Sequence, residues 1–324
     1  MGLGEFDRIA RFFRPLAQGL AGALDLADDA ALLDPGPGRD LVVTTDAMVE
    51  SVHYLPGEDP ARLARKLLRV NLSDLAAKGA TPLAYTLTTA LPSQPDDSWI
   101  ARFVEGLAAD QAEYGIGLLG GDSVRTPGPA MLSVTAFGTV PKGAMLRRAA
   151  AKAGDDLYAS GTLGDGALGL RAARGDLKAL AADAVEALAL RYHLPQPRLA
   201  LGAALVGLAH AAMDLSDGLP GDLPHICAAS GVAAEVDLAR LPLSDAARAA
   251  VAADPALQAV AWAGGDDYEL LFTAPVEARS AVEAAASATG TPVARIGRIA
   301  AGQGVRLLDP QGRPVESLAG WQHF

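Results

Sequence analysis

The chain is nearly without cysteine: 324 residues contain one thiol, Cys227. An intrachain disulfide is therefore excluded, and a reducing cytoplasm is the expected setting. Histidines number only five, which leaves no His/Cys metal cluster and no convincing nucleophile–base pair. Aromatic residues make up 5%, and abundant alanine with 35 glycines favours helices closely apposed to sheets over an aromatic core. Basic residues are outnumbered, 27 against 38 acidic ones, for a formal charge of −11. That balance argues against nucleic acid or an anionic membrane as partner. No GxxxxGK[ST] occurs, which excludes a P-loop. The longest nearly uncharged stretch, residues 199–213, is shorter than the roughly 20 residues of a membrane helix and includes His210. Residues 1–13 lack the basic-then-apolar order of a signal peptide. A soluble protein is expected.

The length suits two domains rather than one core. Apolar runs with β-branched residues predict strands at 41–45, 85–91, 117–119, 131–140, 156–160, 211–215, 233–237, 268–274, 293–299 and 305–308. Helical spacing predicts helices at 5–13, 60–78, 97–114, 166–174, 182–192, 198–209, 218–229, 245–252 and 276–288. The elements interleave, yet some strands follow one another directly, so the class is α/β with mixed, α+β-like sheets. The basic, alanine-rich passage 141–154 is the best boundary, and it divides the chain into domains 1–143 and 144–324. Asp309-Pro310-Gln311-Gly312 reads as a turn closing a late hairpin.

What the chain does have is a scatter of short acidic signatures, nearly all placed where an apolar run ends. They are Ala27-Asp28-Asp29, Thr44-Thr45-Asp46, Asn71-Leu72-Ser73-Asp74, Gly120-Gly121-Asp122, Asp214-Leu215-Ser216-Asp217 and Gly264-Gly265-Asp266-Asp267. Taken singly, each has an ordinary explanation: a cap or Asx turn for Asp46, a solvated helix face for Asp74, an N-cap for Ser216 or Asp217. Together they suggest one pocket at strand ends. Two carboxylates about 4 Å apart repel by roughly 4 kcal/mol at an effective dielectric near 20. Such a cluster calls for hard cations of the Mg²⁺ type, and clustered Mg²⁺ points to phosphate chemistry. Two GxGxxG matches occur, at Gly115-Gly117-Gly120 and Gly164-Gly166-Gly169, and neither has the strand–helix–strand context of a dinucleotide site. The loop from Gly161 to Gly166 either offers backbone N–H groups to a phosphate or is only a tight turn.

The motifs resemble the thiamine-monophosphate kinases, of the superfamily that includes aminoimidazole-ribonucleotide synthetase and selenophosphate synthetase. The matching elements run from Gly4-Glu5-Phe6 through Asp28-Asp29, Thr44-Thr45-Asp46 with His53, and Asn71-Leu72-Ser73-Asp74 to Gly120-Gly121-Asp122. They continue with Gly154-Asp155, Pro197-Arg198, Asp214-Leu215-Ser216-Asp217-Gly218, Gly265-Asp266-Asp267-Tyr268-Glu269-Leu270 and His323-Phe324. The resemblance implies ATP-dependent phosphorylation of thiamine phosphate with several Mg²⁺ ions, on a two-domain fold that dimerises through its N-terminal sheet. By position it implies a metal shell of Asp29, Thr44, Thr45, Asp46, Asp74, Asp122, Asp214 and Asp217. It implies nucleotide contacts from Gly121, Asp122, Arg148 and Ser216, and substrate contacts from His53, Asp266 and Trp321. Asp46, Asp74, Asp122 and Arg148 would carry the chemistry. Domain 1–143 would hold ATP, Mg²⁺ and the dimer contact, with strands 85–91 and 131–140 as its candidates, and domain 144–324 would complete the nucleotide and substrate site. The chain departs from the family pattern at Ala27, where glycine is usual, at Asp266, where glutamate is usual, and at Trp321, where tyrosine is more familiar. Trp321 would stack on a ring of the substrate or pin the tail to the core. Asp266, Asp267 or Glu269 would balance the substrate's cationic ring. The alternatives are another ATP-using member of the superfamily and a non-catalytic Mg-nucleotide-binding regulator.

Overall fold

A computed structural model describes residues 5–27, 30–92 and 96–315 of the chain. It divides into two compact units, Met1–Leu75 with Ala80–Gly143, and Ala76–Gly79 with Ala144–Phe324.

The first unit begins with a short helix, α1 (Glu5–Arg8), which passes into a π-helical turn at Ile9–Phe13 instead of running on as one α-helix. Its sheet is built from β1 (Arg39–Val49), β2 (Thr81–Leu91), β3 (Gly117–Arg125) and β4 (Met131–Pro141), in the order β1-β4-β2-β3. β4 is antiparallel to both neighbours, and β2 and β3 are parallel. α2 (Pro60–Ala77) precedes β2, and α3 (Asp97–Tyr114) makes the crossover that a parallel pair requires. α2 buries Leu63, Leu67, Leu68, Leu72 and Leu75, at i, i+4, i+5, i+9 and i+12, a pattern that keeps them on one side of the helix. α3 is capped at both ends: the Asp96 carboxylate accepts the Trp99 N–H at 2.7 Å, and Gly115 ends the helix in the left-handed region.

The strands run further than the apolar runs suggested. Asp46 was expected at a strand end, but it lies inside β1 opposite Val134, and the ladder with β4 continues to Val49. Asp122 likewise lies inside β3 opposite Thr88, because β2 extends the pairing to Arg125. A ladder partner overrides a polar residue's preference for loops, and strand alternation then decides which face each acid takes.

The second unit holds β5 (Asp156–Ser160), α4 (Asp165–Ala173), α5 (Ala182–His193), α6 (Leu199–Ala204), β6 (Ala211–Asp214), α7 (Leu219–Ser230) and β7 (Ala233–Asp237). These are followed by α8 (Asp245–Ala253), α9 (Leu257–Ala263), β8 (Leu270–Ala274), α10 (Arg279–Ala288), β9 (Val293–Ala300) and β10 (Gly304–Leu308). The sheet order is β10-β7-β9-β5-β8-β6, antiparallel except for the β10–β7 pair. Leu157, Ala159, Met213 and Leu271 join one core cluster with Leu223 and Ile226 of α7. Tyr158, Ala212 and Phe272 join another with Leu201 and Val282, and the Tyr158 and Phe272 rings stack at 5.1 Å. Burial on both faces explains why β5 and β8 read as continuous apolar runs. The predicted helix at 198–209 is shorter, because the chain turns after Ala204 through Gly207 at φ 82°. β8 starts at Leu270 rather than at 268, because Asp266 and Tyr268 have left-handed backbones that no strand accommodates. After β10, the Gly312 N–H bonds the Asp309 carbonyl at 2.8 Å, and an antiparallel bridge joins Leu308 to Pro314, so the predicted turn is present. Among the described residues no helix is long and apolar enough to cross a membrane.

One buried ion pair ties α2 to α3. Asp110 is fully buried and takes Arg69 bidentately at 2.7 and 2.9 Å, with Arg65 at 2.7 Å. Removing one partner of a buried pair costs about 3–5 kcal/mol. Glu113 still meets Arg69 at 2.8 Å, so Asp110→Ala should fall near the low end, about 3 kcal/mol by chemical denaturation. A loss below about 1 kcal/mol, the value of an exposed pair, would contradict the assignment.

Candidate active site

In the first unit, β1 and α2 bring Thr44, Asp46, Asn71 and Asp74 together. The Thr44 hydroxyl donates to the Asp74 carboxylate. The Asp46 N–H donates to the Asn71 Oδ1 at 3.0 Å, and the buried Asn71 amide is oriented in turn by donating to the Leu67 carbonyl at 2.9 Å. Asn71 and Asp74 share a helix face through their i, i+3 spacing, which the sequence shows directly.

Thr45 and Asp122 lie on the other face of that sheet. The Thr45 hydroxyl donates to the Val134 carbonyl at 3.1 Å and accepts from Thr135 at 3.2 Å. The register Ala47–Ser133–Thr88–Asp122 puts Asp122 with Thr45 and opposite Asp46. Asp122 is exposed, and its carboxylate accepts the N–H of Ser123 at 2.8 Å. Strand pairing by itself requires a glycine at 121, since a Cβ there would run into the Leu87 carbonyl oxygen. His53 accepts the Val49 N–H on Nδ1 at 3.0 Å, which places the proton of a neutral ring on Nε2. The His53 carbonyl in turn accepts from the buried Lys66 ammonium at 3.4 Å.

In the second unit two distant motifs are adjoining backbones. Asp214 is the buried last residue of β6. After it, the Leu215 N–H bonds the Glu269 carbonyl at 2.9 Å, the Tyr268 N–H bonds the Leu215 carbonyl at 2.8 Å, and the Asp266 N–H bonds the Ser216 carbonyl at 2.9 Å. Gly265 is obligatory because a Cβ would run into the Ser216 carbonyl oxygen. Asp217 is half-buried, and its N–H donates to Asp222 Oδ2 at 2.9 Å. Asp222, in the first turn of α7, was missed by sequence reasoning: an acid there looks like any dipole-favoured surface residue. Burial pushes its carboxyl up to about 7, opposed by the amides of Asp217 and Ser216, with the Asp217 charge adding to the rise and Arg148 opposing it. Arg148 itself is exposed, with its carbonyl held by the Ser230 hydroxyl at 2.8 Å.

Asp267 and Glu269 do not serve the purpose suggested by their charge. Asp267 is buried and accepts the N–H groups of Gly164 at 2.6 Å and Gly166 at 2.9 Å. Those two amides of the Gly161–Gly166 loop are thus taken by the protein's own carboxylate, which favours the tight-turn reading. Glu269 is fully buried between Arg191 at 2.9 Å, Arg198 at 2.6 and 2.8 Å, and the Ser160 hydroxyl at 2.5 Å. The Pro197-Arg198 motif therefore exists to neutralise Glu269. Neither acid is placed to balance a substrate's charge; Asp266, half-buried at the turn, remains. Asp29 and Trp321 lie outside the described residues.

Residues 27–140 match the AIR synthase related protein N-terminal domain, and residues 152–309 match its C-terminal domain. The chain is 47% identical over 323 residues to the thiamine-monophosphate kinase of Caulobacter vibrioides, covering 98% of this chain and 90% of that protein. The crystal structure of thiamine-monophosphate kinase from Stenotrophomonas maltophilia K279a superposes with a TM-score of 0.83 at 44% identity, over 97% of this chain and 99% of that one. AaThiL, solved in complex with AMPPCP and TMP, superposes with a TM-score of 0.78 at 30% identity, over 100% of this chain and 99% of that one.

The chain belongs to the thiamine-monophosphate kinase family. It is a kinase with the two-domain, mixed-sheet architecture of that family. In this kinase the buried acids set a pH dependence. Burial pushes Asp267 up to about 8, with Asp165 adding to the rise and the two amides and Arg191 opposing it. A carboxyl whose pKa rises on folding holds its proton longer in the folded than in the unfolded state. Stability contributed by Asp222 and Asp267 is therefore present at low pH and falls as pH rises from the ordinary carboxylate range through about 7 and about 8. Each group within its window costs about 1.4 kcal/mol per pH unit. The melting temperature should decline between pH 5.5 and 8.5, and Asp267→Asn should flatten that decline; an equal slope in the variant would contradict the assignment.

Proposed function

We propose that this kinase transfers the γ-phosphoryl group of ATP to the phosphate of thiamine phosphate, giving thiamine diphosphate and ADP. What carries the substrate pair is the full-length likeness to AaThiL, solved with AMPPCP and TMP. An acceptor phosphate oxygen attacks the γ-phosphorus in line, and the bond from that phosphorus to the β–γ bridging oxygen breaks. The second pKa of a phosphate monoester lies near 6, so the acceptor is largely dianionic and needs no general base. The site chemistry supports this: with the Val49 N–H on Nδ1, a neutral His53 ring carries its proton on Nε2, a tautomer suited to orienting an anion rather than to taking a proton there. Arg148, Ser216, Gly121 and Asp122 are the nucleotide contacts in this reading, and His53, Asp266 and Trp321 those of thiamine phosphate.

The oxygen donors of Thr44, Asp46 and Asp74 suit a hard divalent cation, as do Thr45 and Asp122 on the other face and Asp29, Asp214 and Asp217. Among the described residues no group of three or more His, Cys, Asp or Glu comes together to cage a metal. Mg²⁺ characteristically takes one or two carboxylates and completes its shell with water and substrate phosphates, so the donor set fits. When bound, such ions cancel charge between two anions that otherwise repel. Residues 1–143 thus carry Asp29, Asp46, Asp74 and Asp122 of the metal-binding acids, residues 144–324 carry Asp214 and Asp217 with Arg148, Ser216 and Asp266, and the cytoplasm is the compartment we assign. Asp74→Asn keeps an acceptor for the Thr44 hydroxyl while removing a charge. With Mg-ATP and thiamine phosphate it should lose about 10²-fold or more in kcat, the usual cost of deleting one charge-stabilising group. Wild-type protein that releases ADP without thiamine phosphate, or a variant of undiminished rate, would sink the reading.

The same reading includes a homodimer through the first sheet. Its strands β2 and β4 are interior, with Tyr85 buried, so they supply no exposed edge. The exposed apolar side chains belong instead to β1 and β3: Leu41 at 40%, Val43 at 54% and Val124 at 49%, all on the face of Thr45. A second copy of the face would cover them. Light scattering should give twice the 33.1 kDa chain mass, and Val43→Asp should return it to monomer. A monomeric wild type contradicts the proposal.

A further inference from the structure

The turn that carries Asp266 is strained. Asp266 at φ 66° and Tyr268 at φ 52° both occupy the left-handed region without being glycine. Such backbones persist only where surroundings over-determine them, and they concentrate at functional sites. Here the surroundings can be named. The N–H groups of Asp266 and Tyr268 bond the Ser216 and Leu215 carbonyls. Gly166 lacks a side chain exactly because a Cβ would meet the Asp266 carbonyl. Between the two strained residues, the Asp267 carboxylate reaches inward and holds the amides of Gly164 and Gly166 at the start of α4. On the outer side, the Tyr268 phenol donates to Asp266 Oδ1 at 3.3 Å.

Asp267 is too deeply buried to touch a ligand, and the chemistry described above gives it no role. We infer that Asp267 is a positioning residue for substrate recognition: by locking the left-handed turn onto the Gly164–Gly166 loop, it aims the Asp266 carboxylate, braced by Tyr268, at the cationic ring of thiamine phosphate. This rests on Asp266 being a substrate contact. The competing role is purely structural, a carboxylate that tethers α4 and affects only stability.

Kinetics of the full chain separates the two. Asp267→Asn preserves volume but turns an NH₂ towards one of the two amides. It should raise the KM for thiamine phosphate about tenfold while kcat and the KM for ATP stay within about twofold. Asp266→Asn, which tolerates a left-handed backbone, should raise the same KM. Because Asp267 acts through Asp266, the double variant should be no worse than Asp266→Asn, a failure of additivity expected of coupled sites. If Asp267→Asn does not fold, Gly166→Ala pushes on the Asp266 carbonyl with the carboxylate intact and should give the same selective rise. An unchanged KM in Asp267→Asn beside a raised one in Asp266→Asn overturns this inference alone, as do fully additive effects. An unchanged KM in Asp266→Asn overturns the substrate contact and this inference with it.

Discussion

A chain of net charge −11 cannot bury carboxylates without an answer to their desolvation, which costs several kcal/mol per ion even after relaxation. The protein answers in two ways, and the division separates scaffold from site. Asp110, Asp156 and Glu269 are met by guanidinium groups: Arg65 and Arg69 at the first, Arg279 at the second, Arg191 and Arg198 at the third. Asp156 is held below the usual carboxylate range, chiefly by its hydrogen bond with Arg279. Asp267 and Asp222 accept peptide amides instead, and burial raises their pKa. By contrast, Asp74 takes a hydroxyl hydrogen from Thr44 and Asp122 an amide hydrogen from Ser123, neither of which cancels a charge. Asp74 and Asp122, neither fully buried nor met by a guanidinium, are the acids to which we assign the chemistry.

The scaffold acids work by fixing backbones. In the second unit, the segments 214–218 and 264–269 run side by side, joined through main-chain hydrogen bonds and crossing where Gly265 permits it. Asp267 adds the Gly164–Gly166 loop to the same assembly. Three stretches far apart in sequence thereby share one geometry, and the strain at Asp266 and Tyr268 is held by their neighbours. Precision at this turn comes from peptide groups, which have no rotamers to lose, rather than from flexible side chains.

The order of strands and helices was legible because apolar periodicity is local: β5 and β7 and the span of α3 appear where the pattern puts them. The strand ends were not. Asp46 and Asp122 sit within ladders whose partners are up to about a hundred residues away, and no local signal announces a partner's length. α9 escaped notice for a similar reason, being about two alanine-rich turns between proline and glycine punctuation. At the site, Asn71 and Asp74 were readable from helical spacing. The purposes of Arg198, Glu269 and Asp267 were not, because each is settled by a contact at long sequence separation. Sequence pattern shows that an acid is present; only the fold shows what neutralises it.

The most direct test is an anomalous-scattering crystal structure with Mn²⁺ in place of Mg²⁺ and a non-hydrolysable ATP analogue bound. The account predicts metal peaks on oxygens of Asp46, Asp74 and Asp122, and none on Asp110, Asp267 or Glu269. Metal bound to any of the latter group, or its absence from Asp46 and Asp74 with nucleotide present, would contradict it.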